Sequence, residues 1–333
     1  MVFINLFLVS FLISVLITVP AAKALALYLN IVDIPDGNLK KHQKTTPYLG
    51  GLAIFVSLWL VIISLYQLDY VLTGLFLGTL VILLVGLIDD LLALSPIQKL
   101  LGQVVSAIFL VTYGFYLNLN LPFSLSKMVS FFWIVALMNA FNLVDVMDGL
   151  ATVIGICATS SLMFYAAFLG QQDLYIFLTI FLGAQVAFFC YNRPNAVMYL
   201  GDAGSMLIGA FLAAISLKLK WGNLPNNSLN LLIAPIILSI PLVEVCCLIL
   251  IRKFKHIPFY NGSPDHFKHY LKNKGWGEWQ ILWYVATHAT LLALLSWLVA
   301  FSGFSITLLL LVGIVLWATW FCVVFMKTGT FRS

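Results

Sequence analysis

Long apolar runs almost free of charge constrain this chain more than any other feature. Residues 3–19, 72–88 and 306–324 are uninterrupted stretches of this kind. Each is close to the ~20 residues that a helix needs to cross a ~30 Å hydrocarbon layer. Of the 333 residues, 62% are apolar and 9% charged, whereas a soluble domain has about 25% charged residues. A large soluble core is thereby excluded. Length alone would suggest about two soluble domains, but no linker, internal repeat or low-complexity tract divides the sequence. The expected fold is all-α, a single polytopic transmembrane bundle over 1–333. The first run has no basic stretch before it and no small-residue cleavage site after it, so it reads as a retained span.

Eleven spans are expected, at about 2–22, 48–66, 70–88, 100–117, 128–144, 149–169, 174–190, 204–218, 230–250, 280–300 and 305–325. With the N-terminus outside, 14 of the 17 basic residues fall in inside connections, and only Lys127, Lys218 and Lys220 fall outside. The positive-inside rule therefore predicts N-outside, C-inside, with cytoplasmic loops at about 23–47, 89–99, 139–148, 191–203 and 251–279. The net charge of +5 follows from this bias and does not indicate nucleic acid. The five cysteines lie in or beside apolar runs without metal-ligand spacing, which fits small packing residues.

On this topology nine of the twelve acids lie at or near the cytoplasmic face. Five of them sit in apolar surroundings: Asp89 and Asp90 at the end of the third span, Asp145 and Asp148 between the fifth and sixth, and Asp202 entering the eighth. Carboxylates at membrane depth are costly unless they pair, bind a cation or line a wet cavity. Each cluster taken singly also fits a helix cap or a turn. Three clusters on one face, with few acids elsewhere, point instead to a divalent cation and phosphate chemistry; magnesium favours carboxylates, water and substrate phosphates. Cationic partners are at hand in Lys44, within a basic loop, in Lys99, and in His266, Lys268 and His269. Lysines and histidines in one loop suit diphosphate oxygens better than zinc, since no cysteine or third histidine accompanies them.

These residues resemble the polyprenyl-phosphate N-acetylhexosamine-1-phosphate transferases, which include the phospho-MurNAc-pentapeptide translocase. The resemblance rests on Thr46-Pro-Tyr-Leu-Gly-Gly51, Asp89-Asp-Leu-Leu-Ala-Leu-Ser-Pro-Ile-Gln-Lys-Leu100 with Gln103, Asn139-Ala-Phe-Asn-Leu-Val-Asp-Val-Met-Asp-Gly-Leu150, Leu200-Gly-Asp-Ala-Gly-Ser205 and His266-Phe-Lys-His269, in that order. It implies transfer of a sugar-1-phosphate from a UDP-sugar to undecaprenyl phosphate, with release of UMP. It also implies a requirement for Mg2+, with Mn2+ as a substitute, in the bacterial cytoplasmic membrane with the active site on the cytoplasmic face. A homodimer is a candidate assembly.

By matched position, Asp202 is the implied metal ligand, and Asp89 or Asp90 the group that keeps the lipid phosphate ionised. Asn142, Asp145 and Asp148 fall on the nucleotide side, and Tyr199 against uracil. His266, Lys268 and His269 are the implied diphosphate clamp, with Lys44 and Lys99 as further substrate-side cations. Two positions depart from the family pattern. Val146 stands where the family has glycine, and positive φ is costly for valine, so the turn before Asp148 is expected to differ. Lys268 stands in place of a histidine. Eleven spans favour the GlcNAc-type branch, which takes the first membrane step of cell-envelope polysaccharide synthesis. Lys272-Asn-Lys-Gly-Trp-Gly-Glu278 and His42-Gln-Lys-Thr-Thr-Pro47 resemble the MurNAc-pentapeptide branch. A secondary transporter is the reading from another class; Glu244, just after Pro241, is its strongest midplane acid, although it would also fit lining the site or pairing with a neighbouring helix.

Overall fold

The computed structural model describes residues 2–33, 45–117, 122–225, 230–256, 265–301 and 306–325. The helices are α1 (Val2–Ile13), α2 (Val19–Tyr28), α3 (Gly50–Leu65), α4 (Tyr70–Leu92), α5 (Pro96–Thr112), α6 (Phe123–Val144) and α7 (Leu150–Phe168). They continue with α8 (Gln172–Asn192), α9 (Gly201–Lys218), α10 (Ile233–Ile237), α11 (Ser239–Phe254), α12 (Phe267–Asn273), α13 (Glu278–Phe301) and α14 (Ile306–Phe325). The all-α expectation holds. The one strand pairing described is a two-residue antiparallel ladder, β1 (Val32–Asp33) with β2 (Thr46–Pro47).

Among the described residues, eight helices are long and apolar enough to cross a membrane, the α1–α2 segment Ile4–Tyr28 counting as one. The shorter apolar helices α3 and α5 and a bent pair, α10 with α11, complete the set. Every expected span overlaps a helix, and among the described residues eight of these helices, or nine with the bent pair, are long and apolar enough to cross a membrane. The segment expected to run straight over 230–250 is bent by 70°. Pro241 has no N–H to give the carbonyl of Ile237 and its ring crowds that carbonyl, so the helix breaks there. Helices α4 and α9 extend further than expected, and this places Asp89, Asp90 and Asp202 on helical turns.

Helix α9 is the centre of the bundle. Nearly all its side chains are buried, and α3, α4, α6 and α7 pack on it. Association within a bilayer relies on close van der Waals approach between small residues, and α9 begins Gly-Asp-Ala-Gly-Ser. A Cβ on Gly86 of α4 would fall 2.2 Å from Ala203 Cα, and one on Gly51 of α3 would fall 2.3 Å from Gly204 N. The backbones of both helices therefore lie directly against the first turns of α9. Chain direction gathers the C-terminal ends of α4 and α6 and the N-terminal ends of α5, α7 and α9 at one end of the bundle.

Overpacking a tight contact costs about 1–3 kcal/mol. Gly86→Ala is expected to lower the melting temperature of the detergent-solubilised protein by several degrees. Gly222→Ala, whose Cβ would meet nothing within 4 Å, is expected to melt with the wild type. Equal melting of all three proteins would contradict this account of the packing.

Candidate active site

The site forms at that end because a short turn folds α5 back over α4. Ala93 closes α4 in the left-handed region with φ 47°. Asp89 Oδ1 accepts the Leu94 N–H at 2.7 Å. Ser95 and Gln98 then form a reciprocal capping box, with Pro96 in the first helical turn, a combination that fixes a helix start. Lys99 follows at once and is carried back onto the carboxylates.

The Lys99 ammonium pairs with both Asp89 Oδ2 and Asp202 Oδ2. It also lies 3.4 Å from Asn142 Oδ1. Asn142 donates its Nδ2 to Asp202 Oδ1 at 2.8 Å and to Ser205 Oγ at 3.2 Å. Four residues from α4, α5, α6 and α9 thus form one connected network around a single cation. A second amide layer lies beside it: Gln103 and Asn139 exchange bonds of 2.6 and 3.3 Å, and Gln103 also reaches Met206 Sδ.

Asp90 is placed differently from Asp89. Its Oδ1 accepts the backbone N–H of Asp202 at 2.8 Å and its Oδ2 that of Ala203 at 3.3 Å. It is the N-terminal cap of α9, supplied from another helix, where a carboxylate also meets the positive end of the helix dipole. Gly201 makes room for it: φ is +74° there, and a Cβ would fall 2.5 Å from Asp90 Oδ2.

The turn after α6 solves the problem posed by Val146. The Val146 N–H donates to Val144 O at 2.8 Å across Asp145, whose φ −77° and ψ 63° are those of an inverse γ-turn. Val146 is not among the positive-φ residues; Gly149 supplies the left-handed position, at φ +74°. Asp148 Oδ2 accepts the Ala196 N–H at 2.9 Å. Asn192 joins this turn to the irregular segment before α9. Its Oδ1 accepts the Gly149 N–H at 3.1 Å and the Thr152 hydroxyl at 2.9 Å, while its Nδ2 donates to Met198 O at 3.1 Å. Sequence reading missed Asn192; a lone buried amide at the end of an apolar run was the available signal. Tyr199 stands 5.6 Å from Tyr48, ring to ring, and backbone bonds from Gly50 and Gly51 to Tyr199 and Leu200 lock the two segments together.

The histidine-bearing segment is only partly engaged with the carboxylates. Lys268 lies near enough to oppose the charges of Asp145 and Asp148. His266 faces elsewhere, with Nδ1 3.2 Å from Glu244 Oε1, which also accepts the Phe267 N–H at 3.2 Å. Glu244 therefore pairs with the neighbouring segment and caps α12. His269 stays beside His266, with ring centroids 6.4 Å apart. Lys44 lies outside the described residues.

Burial holds the Asp145 carboxyl well above its ordinary range, and the charges of Asp202, Asp90 and Asp148 push it the same way against Lys268. Asp148 is raised mainly by burial as well. Burial and then Lys272 lower the Lys268 ammonium, and burial and then Lys268 lower His269. The folded chain takes up the Asp145 proton more readily than the unfolded chain does. The stabilisation so gained is full in acid, below the unfolded carboxyl value, and is lost as pH rises through the elevated folded value. Asp145→Asn removes the titrating group and with it this pH-dependent loss of stability. Without added metal this variant is expected to melt above the wild type at pH 7.5, with the gap closing towards pH 4. A gap that does not change with pH would refute the buried-charge account.

Carboxylates gathered round an ammonium where four helices of a polytopic bundle meet lie within the stretch by which the chain is recognised as a membrane transferase. The chain belongs to glycosyl transferase family 4, which residues 72–220 match. That stretch runs from α4 to the end of α9 and carries every member of the Lys99 network. A probable undecaprenyl-phosphate N-acetylglucosaminyl 1-phosphate transferase of Bacillus subtilis (strain 168) is 30% identical over 276 residues, which is 80% of this chain and 76% of that protein. A phospho-N-acetylmuramoyl-pentapeptide-transferase of Staphylococcus haemolyticus (strain JCSC1435) is 31% identical over 74% of this chain and 82% of its own. The enzyme of that name from Latilactobacillus sakei subsp. sakei (strain 23K) is 32% identical over 74% and 83%.

Proposed function

We propose that this enzyme transfers N-acetylglucosamine-1-phosphate from its UDP-sugar to undecaprenyl phosphate. A lipid phosphate oxygen attacks the sugar-bearing β-phosphorus, a new P–O–P bond forms, the bond between the two donor phosphates breaks, and UMP leaves. The observation that supports this reading best is the convergence of Asp89, Asp202 and Asn142 on the Lys99 ammonium. In phosphoryl transfer, positioning and charge stabilisation do most of the work, and this network provides both. The same reading puts the site on the cytoplasmic face of the bacterial cytoplasmic membrane, with eleven spans and the N-terminus outside.

Magnesium fits the donor set. No group of three or more His, Cys, Asp or Glu side chains is poised to hold a metal among the described residues. A cation nevertheless already stands where two carboxylates and an amide oxygen meet, and these are hard oxygen ligands of the kind magnesium accepts with few protein donors. Asp202 with Asn142 would hold the ion, which supplies Lewis-acid charge to the donor phosphates when bound. Asp89 is the better candidate to keep the lipid phosphate ionised, because its Oδ2 faces the Lys99 ammonium, whereas both Asp90 oxygens cap the α9 backbone. Lys99, Lys268, His269 and Lys44 meet phosphate oxygens. Asp145 and Asp148 take the nucleotide side, with Tyr199 beside uracil. Glu244, which takes the Phe267 N–H and lies 3.2 Å from His266 Nδ1, positions the start of the α12 segment.

Similar identity to MurNAc-pentapeptide transferases makes the sugar a matter for direct assay. Purified enzyme with undecaprenyl phosphate and Mg2+ is expected to release UMP from UDP-GlcNAc faster than from UDP-MurNAc-pentapeptide; no UMP from either donor would overturn the reading. Asp202→Asn is expected to lose about 100-fold or more in kcat, the scale seen when one electrostatic group at a reacting centre is removed. Full activity of that variant at limiting Mg2+ would remove Asp202 from the metal site.

A further inference from the structure

Among the described residues, the end of the bundle opposite the aspartates carries three basic residues, Lys127, Lys218 and Lys220. Scattered lysines at a membrane boundary would need no explanation, since their long side chains reach for water. These three converge. Lys218 and Lys220 line a cavity of about 460 Å3 together with Tyr116, Phe123 and Trp221. The Lys127 ammonium stands over two of the same rings, 4.2 Å from the Phe123 centroid and 5.5 Å from that of Tyr116. That of Lys218 lies 5.6 Å from the Phe115 centroid.

The turn that presents the lysines is tied down from three sides. Gln171 Oε1 accepts the Lys220 N–H at 2.8 Å, and Gln171 Nε2 donates to Lys218 O at 3.3 Å. Trp221 Nε1 donates to Ser216 O at 2.8 Å, and Asn230 Nδ2 donates to Trp221 O at 2.7 Å. Asp69 and Asp173 share a neighbouring cavity with Lys218 and Lys220, where Asp69 Oδ1 accepts the Leu72 N–H at 2.7 Å and Asp173 Oδ1 accepts the Tyr66 hydroxyl at 3.2 Å. Among the described residues, no carboxylate lies within ion-pair distance of any of the three lysines. Cations with aromatic walls, at the ends of helices long enough to cross a bilayer, match a phosphate ester joined to apolar chains.

We propose that this pocket binds the headgroup phosphate of an anionic phospholipid, at the opposite end of α9 from catalysis. The test uses the full chain in nanodiscs of phosphatidylglycerol or phosphatidylcholine, with lipid retention followed by native mass spectrometry and stability by thermal melting. Wild type is expected to retain phosphatidylglycerol and to melt higher in it. Lys218→Gln/Lys220→Gln is expected to weaken retention on the order of tenfold and to lose the melting difference between lipids, while melting like the wild type in phosphatidylcholine. Asp202→Asn is expected to retain lipid fully, so this outcome does not depend on the proposed reaction. Unchanged lipid retention by the double variant would overturn the proposal. So would an equal melting shift from inorganic phosphate in detergent, which would make the ligand a free anion.

Discussion

The buried N-terminus of α9 is the constraint on which the site depends. A helix start leaves backbone N–H groups unsatisfied, and inside a membrane bundle there is little water to receive them. Asp90 takes two of these groups from the side, on α4. That bond sets the distance between α4 and α9, requires glycine at 201, and fixes where Asp202 emerges. The close approach of Gly86 and Gly51 to the same turns serves that end, since bulkier residues would push α9 away from its cap.

Given that frame, the charges arrange themselves by mutual need. Asp89 and Asp202 face each other, and the ammonium between them offsets their like charges. Lys99 is delivered there by the Ser95 capping box, one turn into α5. Asn142 adds an amide that can give an N–H to Asp202 and turn its oxygen to the cation. The result is one ammonium held by groups from four helices.

The two ends of α9 offer a contrast. At one end the Lys99 ammonium is held by Asp89 and Asp202 in direct ion pairs. At the other, Lys127 and Lys218 stand over aromatic rings, and Asp69 and Asp173 share a cavity with Lys218 and Lys220 without a direct ion pair to them. The same helix therefore separates a tightly paired charge cluster from a loosely paired one.

By itself the sequence determined the class of fold, because runs of ~20 apolar residues leave few other places for the chain to go. It also marked Asp89, Asp90, Asp145, Asp148 and Asp202 as unusual, since ionised groups in such surroundings require partners. It could not separate Asp89 from Asp90. Neighbours in sequence point in different directions on a helix, and only packing against α9 showed that one faces Lys99 while the other caps a backbone. The engagement of His266 with Glu244, the bend before α11 and the linking role of Asn192 were likewise settled by tertiary structure. Each depends on which distant segment supplies the partner atom, and local spacing carries no record of that.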